Sequence, residues 1–87
     1  MIEVRDNPQQ NRFELEVDGQ IVFARYARRS DDLAILHVEA PRALRGKGHA
    51  DKLMRGIMEH ARGQGLQVVP YCGYAAAWMR GNPQGVD

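Results

Sequence analysis

The chain has 87 residues, of which 44% are hydrophobic and 26% charged, a balance that argues for one folded domain over residues 1–87 and against disorder. Twelve basic residues against 11 acidic ones give a formal charge of +1, which leaves no general electrostatic footprint for nucleic acid or a membrane surface. Met1-Ile2-Glu3-Val4-Arg5-Asp6 is charged too early for a secretory signal, no apolar run approaches the ~20 residues of a membrane span, and the lone Cys72 excludes an intrachain disulfide and suits a reducing cytoplasm.

Whether Ile2-Glu3-Val4 forms a strand is left open by its shortness. Phe13, Leu15 and Val17 alternate with Arg12, Glu14, Glu16 and Asp18, the period of a strand with one buried face. Asp18-Gly19 then reads as a tight hairpin turn. The next strand, from about Gln20 to Ala27, is apolar on both sides at Ile21, Val22, Phe23 and Ala24, which predicts cover on both faces. The basic stretch Arg25-Tyr26-Ala27-Arg28-Arg29 reads as a solvated strand end. A third strand spans about Leu33 to Glu39, with Leu33, Ile35, His37 and Glu39 expected on one face and Ala34, Leu36 and Val38 on the other; Pro41 ends it.

The pattern then changes period. Ala50, Leu53, Met54, Ile57, Met58 and Ala61 recur at helical spacing and form one apolar stripe. Asp51 and Arg55 make an i, i+4 pair, His60 is expected on the polar side, and Gly63 and Gly65 supply the stop. Leu66 to Tyr71 reads as a short buried strand. Gly73 to about Arg80 reads as a short helix anchored by Trp78 and closed by Asn82-Pro83. A helix joining two strands of one sheet makes them parallel near neighbours. The expected architecture is therefore mixed α/β, an antiparallel meander followed by a helix, a parallel strand and a short C-terminal helix.

Leu44-Arg45-Gly46-Lys47-Gly48-His49-Ala50 lies between a strand and the long helix. A helix start presents unpaired amide protons and the positive end of the dipole, and glycines let a ligand approach the backbone. The segment is therefore a candidate phosphate site. It lacks the spacing of a P-loop and the third glycine of a dinucleotide fingerprint.

Arg45-x-x-Gly48-x-Ala50 resembles the R/Q-x-x-G-x-G/A signature of the GNAT superfamily, and it stands where that signature belongs. His37-Val38-Glu39-Ala40, Leu44-Arg45-Gly46-Lys47-Gly48 and Pro70-Tyr71-Cys72-Gly73-Tyr74 follow in order, which is similar to the small YjdJ-type branch of N-acetyltransferases. The likeness runs from about Arg12 to Asn82. Val38, Ala40 and Gly73 depart from the branch pattern, which has Thr, Val and Pro there.

That resemblance implies a minimal GNAT fold in which the strands Leu33–Glu39 and Leu66–Tyr71 splay apart to admit the pantetheine arm of acetyl-CoA. It implies that the backbone of Val38, Glu39 and Ala40 pairs with the arm. Amides of Arg45, Gly46, Lys47, Gly48, His49 and Ala50 would hold the pyrophosphate, with Cys72 and Tyr74 also beside the cofactor. Direct acetyl transfer to an amine needs a base and a proton donor for the leaving thiolate. Glu39 and His37 are the base candidates. Cys72 is a candidate nucleophile or proton donor, and Tyr71 and Tyr74 are further donors.

Each of these side chains also has a structural reading: a strand-end carboxylate, a half-buried histidine, a small buried hydrophobe, packing tyrosines. Metal binding is not expected, because His37, His49, His60 and Cys72 lack ligand-pair spacing. A non-catalytic acyl-CoA-binding module is the alternative, since nothing helical precedes the meander to wall an acceptor site. On the transferase reading the acceptor is an amine of unknown identity, a protein or peptide included, and the chain is expected to be a monomer or weak homodimer.

Overall fold

The computed structural model describes residues 3–82. Ile2 and Pro83, which the sequence reading invoked at the two ends, lie outside the described residues. The elements follow in the order β1 (Val4–Asn7), β2 (Arg12–Val17), β3 (Gln20–Arg28), β4 (Asp32–Glu39), a 3-10 turn (Arg42–Leu44), α1 (His49–Gly63), β5 (Gln67–Pro70) and α2 (Gly73–Gly81). One five-stranded sheet carries them in sequential order, antiparallel from β1 to β4 and parallel between β4 and β5. This is the mixed α/β architecture expected from the sequence, an antiparallel meander, a helix, a parallel strand and a short C-terminal helix.

Local chemistry accounts for the turns. Asp18 and Gly19 both have positive φ, 52° and 76°, the combination whose twist matches a two-residue hairpin. The β1–β2 turn places Asn11 at φ 54°, a conformation that asparagine tolerates well. A strand does form near the N-terminus, but over Val4–Asn7 and not over Ile2-Glu3-Val4: Glu3 precedes it, and Val4 stands opposite Leu15 and Asp6 opposite Phe13.

Both helices pack on the sheet face that carries Phe13, Leu15, Val22 and Ala24. Leu53, Met54 and Ile57 of the α1 stripe are fully buried there, with Met58 and Ala61 beside them. Ala75, Trp78 and Met79 of α2 complete the core. His60 is not on a polar face. It lies three residues beyond Ile57 and seven beyond Leu53, on the flank of the stripe, and its ring meets Phe13 edge-on at 5.1 Å.

Two further expectations fail for identifiable reasons. Val22 and Ala24 of β3 are buried, whereas Ile21 and Phe23 are only half-buried. No described helix covers their face. Instead the Arg12 guanidinium lies 4.7 Å from the Phe23 ring centre, so a cation and its aliphatic stem cover the ring in place of a second layer.

The second failure is the face alternation along β4. Tyr26 pairs with Ile35 and Arg25 pairs with His37, so Leu36 is an extra residue, a β-bulge. Ile35 and Val38 consequently share the helix-covered face, opposite Tyr26 and Ala24. His37 and Glu39 turn to the uncovered face, opposite Arg25 and Phe23. Leu36 itself is 45% exposed.

Candidate functional site

The bulge fixes where β4 and β5 part. Their parallel ladder runs from Asp32 opposite Gln67 to Ile35 opposite Pro70, and stops there. The Ile35 carbonyl takes the last two bonds, from the amides of Tyr71 at 2.9 Å and Cys72 at 3.3 Å. Pro70 has no amide proton to extend the ladder, and the chain beyond it turns into α2. The stretch of β4 after Ile35 still pairs with β3 but has lost its β5 neighbour. Strand edges in this state offer free backbone donors and acceptors.

Against that opening stands the start of α1. The N-cap residue, Gly48, has φ 83°, and no side chain caps the helix. Gly46 also has positive φ, 77°. Such a left-handed residue costs a side-chain-bearing amino acid roughly 1–2 kcal/mol, which is why glycine serves here. The first-turn amides of a 15-residue helix thus remain uncapped by any side chain and attract an anion through hydrogen bonding and the dipole together.

A cleft of about 240 Å³ lies between β4, this loop and α2, lined by Val38, Ala40, Leu44, Arg45, Gly46, His49, Ala50 and Tyr74. Seven of these residues were named from sequence as cofactor contacts; Leu44, buried under the loop at 4% exposure, entered only as the first residue of the glycine segment. The signal available for it was an apolar residue just ahead of the glycines. Glu39, Lys47, Gly48 and Cys72 lie outside the lining of that cleft. A larger recess of about 570 Å³ lies between β1 and α1, where Glu3, Glu59, Lys52, Arg55 and His60 mix both signs and no glycine loop is present.

The side chains around the cleft are already engaged in part. Arg45 donates from Nε to the Ala40 carbonyl at 2.9 Å, pinning the loop to the end of β4. His49 keeps a buried Nδ1 with no hydrogen-bond partner, which carries a free-energy cost unless a partner satisfies it. Burial, with the nearby Asp51 charge second, pushes the Tyr74 phenol up, so it stays protonated and able to donate.

Cys72 is the N-cap of α2, and its Sγ accepts the Ala75 amide at 3.3 Å. Its side chain is half-buried against the core. On the opposite sheet face, His37 Nε2 and Glu39 Oε1 are 3.0 Å apart. The His37 contact, followed by weaker charges from Arg45 and Arg25, holds the Glu39 carboxyl below its usual range. Glu39 is therefore ionised at neutral pH, and in the tautomer carrying Nε2–H it orients the imidazole and leaves Nδ1 as the basic nitrogen. Tyr71 is 61% exposed, with Arg29 Nη2 donating to its hydroxyl at 3.4 Å.

Among the described residues no group of three or more His, Cys, Asp or Glu could hold a metal ion, and no helix is long and apolar enough to cross a membrane. No curated protein matches the chain significantly. A family model described as GCN5-related N-acetyl-transferase matches residues 12–87, from β2 through the glycine loop to the C-terminus. With the parted β4 and β5 strands and the uncapped glycine loop at the start of α1, the chain belongs to the GCN5-related N-acetyltransferase family.

Proposed function

We propose that the whole chain is one acetyl-CoA-binding domain that transfers an acetyl group to an amine, and that it belongs to the small YjdJ-type branch of the family. The observation that carries this reading is the coincidence of two features. The unpaired edge of β4 after Ile35 and the uncapped amides after Gly48 border one cleft. An edge offering amide donors and acceptors suits a pantetheine arm, and the helix start suits the pyrophosphate. The orphaned His49 Nδ1 adds a group that a bound phosphate or adenosine moiety would satisfy.

When bound, acetyl-CoA supplies an activated thioester. The chain's own residues do the rest. Val38, Glu39 and Ala40 align the arm through their backbone, and Arg45 to Ala50 anchor the phosphates. His37, oriented by Glu39, takes a proton from the attacking amine. The departing sulfur needs a proton, which the Tyr74 phenol is suited to give. A two-step route is the variant in which the Cys72 sulfur would take the acetyl group, its proton passing to the departing CoA sulfur so that CoA leaves as the thiol, and the amine would then attack the Cys72 thioester, forming the amide and returning the Cys72 thiol.

The alternative is a non-catalytic acyl-CoA-binding module. It is favoured by one observation, that no described helix covers the sheet face bearing His37 and Glu39. An acceptor on that face meets an open surface, which fits a protein or peptide amine or a site completed by a weak homodimer. A cytoplasmic location is part of the proposal, and the lone thiol of Cys72 is compatible with a reducing compartment.

Native mass spectrometry of the purified protein for retained CoA, followed by acetyl-CoA consumption across amines and lysine peptides, tests the proposal. Bound CoA with acceptor-dependent consumption supports the transferase. Bound CoA with no consumption by any acceptor supports the module. Absence of CoA binding removes both.

A further inference from the structure

Tyr74 is the one cleft residue contributed by α2, and what holds α2 lies a turn further along. Trp78, four residues on and therefore on the same side of the helix, donates from Nε1 to Asp51 Oδ1 at 2.7 Å. Asp51 belongs to the first turn of α1, next to the lining residues His49 and Ala50. Its other oxygen accepts Arg55 Nε at 2.9 Å. The Arg55 guanidinium lies 5.8 Å from the Trp78 ring centre and reaches Asn82 Oδ1 at 3.4 Å. Asn82 Nδ2 in turn donates to the Trp78 carbonyl at 2.8 Å. These four residues close a ring, three side chains and both the indole and the backbone carbonyl of Trp78, that ties the second half of α2 to the first turn of α1.

We propose that Asp51 is a positioning residue for the cleft: through Trp78 it seats the first turn of α2, so that Tyr74 faces Ala50 and Cys72 stays folded under as the cap. Three considerations carry this. Asp51 joins the two helices whose first turns both border the site. The indole donor is committed to it, because Trp has no other polar atom. And a carboxylate–indole bond is of the charge-assisted kind, which holds geometry more firmly than a neutral one. Its relevance to the cofactor rests on the function proposed above; the seating of α2 does not.

The test uses the full chain and three variants, Asp51→Ala, Asp51→Asn and Gly56→Ala. Asn keeps an oxygen for the Trp78 donor. Gly56→Ala strains the helix against β1, far from α2, and controls for general destabilisation. Two readouts are taken: the rate at which iodoacetamide alkylates Cys72, and CoA affinity by calorimetry. Asp51→Ala is expected to speed alkylation by about fivefold or more, by raising the local opening of α2. It is expected to weaken CoA binding about tenfold, the effect of losing one charge-assisted bond. Asp51→Asn, which keeps the acceptor oxygen but loses the charge, should fall between wild type and Asp51→Ala in both.

Equal alkylation in Asp51→Ala and wild type overturns the proposal. So does an equal acceleration in Gly56→Ala at matched stability. If the wild type does not bind CoA, the functional reading fails, while the alkylation rates still decide whether Asp51 seats α2.

Discussion

Gly56 of α1 sits directly over Val4 of β1: a Cβ at position 56 would lie 2.5 Å from Val4 Cβ. Real side chains do not approach that closely, so the helix can lie on the edge strand only because residue 56 has no side chain. Gly56→Ala gains roughly 1 kcal/mol of helix propensity but must displace Val4, and overpacking of this kind costs about 1–3 kcal/mol. The net expectation is a lower melting temperature, by several degrees at about 4–8 °C per kcal/mol for a domain of this size. Val4→Ala in the same background should recover part of the loss, and a thermal-melt double-mutant cycle would show the coupling. Additive effects would mean that the two residues do not meet.

This contact marks a limit of what the sequence showed. The stripe from Ala50 to Ala61 and the Asp18-Gly19 turn were legible, because periodicity and positive-φ preference are local properties. The sequence offers no reason for Gly56 inside the helix, since that reason is a strand some fifty residues earlier. The Leu36 bulge was equally invisible. Nothing in Ile35-Leu36-His37-Val38 announces an extra residue, yet it turns His37 and Glu39 away from Ile35. Most of the cleft was legible through its glycines. Which face the base candidates occupy was not, because that depends on register with β3.

Glu14 gives the fold a pH dependence. It is 9% exposed, and it accepts Arg12 Nε at 2.6 Å and Asn7 Nδ2 at 3.0 Å. The Arg12 bond, opposed by burial, holds its carboxyl below the ordinary value of 4.5. A carboxyl lowered in the folded state contributes stability that is fully present above its unfolded value and is lost as the pH falls through its folded value. The wild-type melting temperature should therefore drop as the pH is lowered through and below the ordinary carboxylate value of 4.5. Glu14→Gln should melt lower at neutral pH and show a smaller drop on acidification, measured by circular dichroism.

Cys72 combines a cap with a proposed chemical role, and two variants separate them. Cys72→Ala loses the bond from the Ala75 amide, a capping loss of about 1 kcal/mol. Cys72→Ser retains a capping oxygen and should melt near wild type. On the acyl-cysteine route both variants lose turnover while CoA affinity holds within about threefold. Full turnover in Cys72→Ser would assign Cys72 to the cap alone and leave direct transfer to the amine.

Gly48→Val bears on the anion site. No neighbouring atom would meet a Cβ there, but the φ of 83° is unsuited to valine. The helix start must rearrange at a cost of about 1–2 kcal/mol, moving the first-turn amides. The far-ultraviolet spectrum should remain that of a folded protein while calorimetry with CoA shows no binding. Retained affinity would move the pyrophosphate away from this loop.

The most direct test of the central claim is a titration of the isotopically labelled protein with CoA, followed by amide chemical shifts. Binding in the cleft predicts saturable shifts concentrated at Val38, Glu39, Ala40, Gly46, Gly48, His49, Ala50 and Tyr74, with β1 and the far end of α1 unchanged. Shifts clustered instead at Val4, Lys52, Gly56 and His60, in the larger recess, or no saturable shifts at all, would contradict the account.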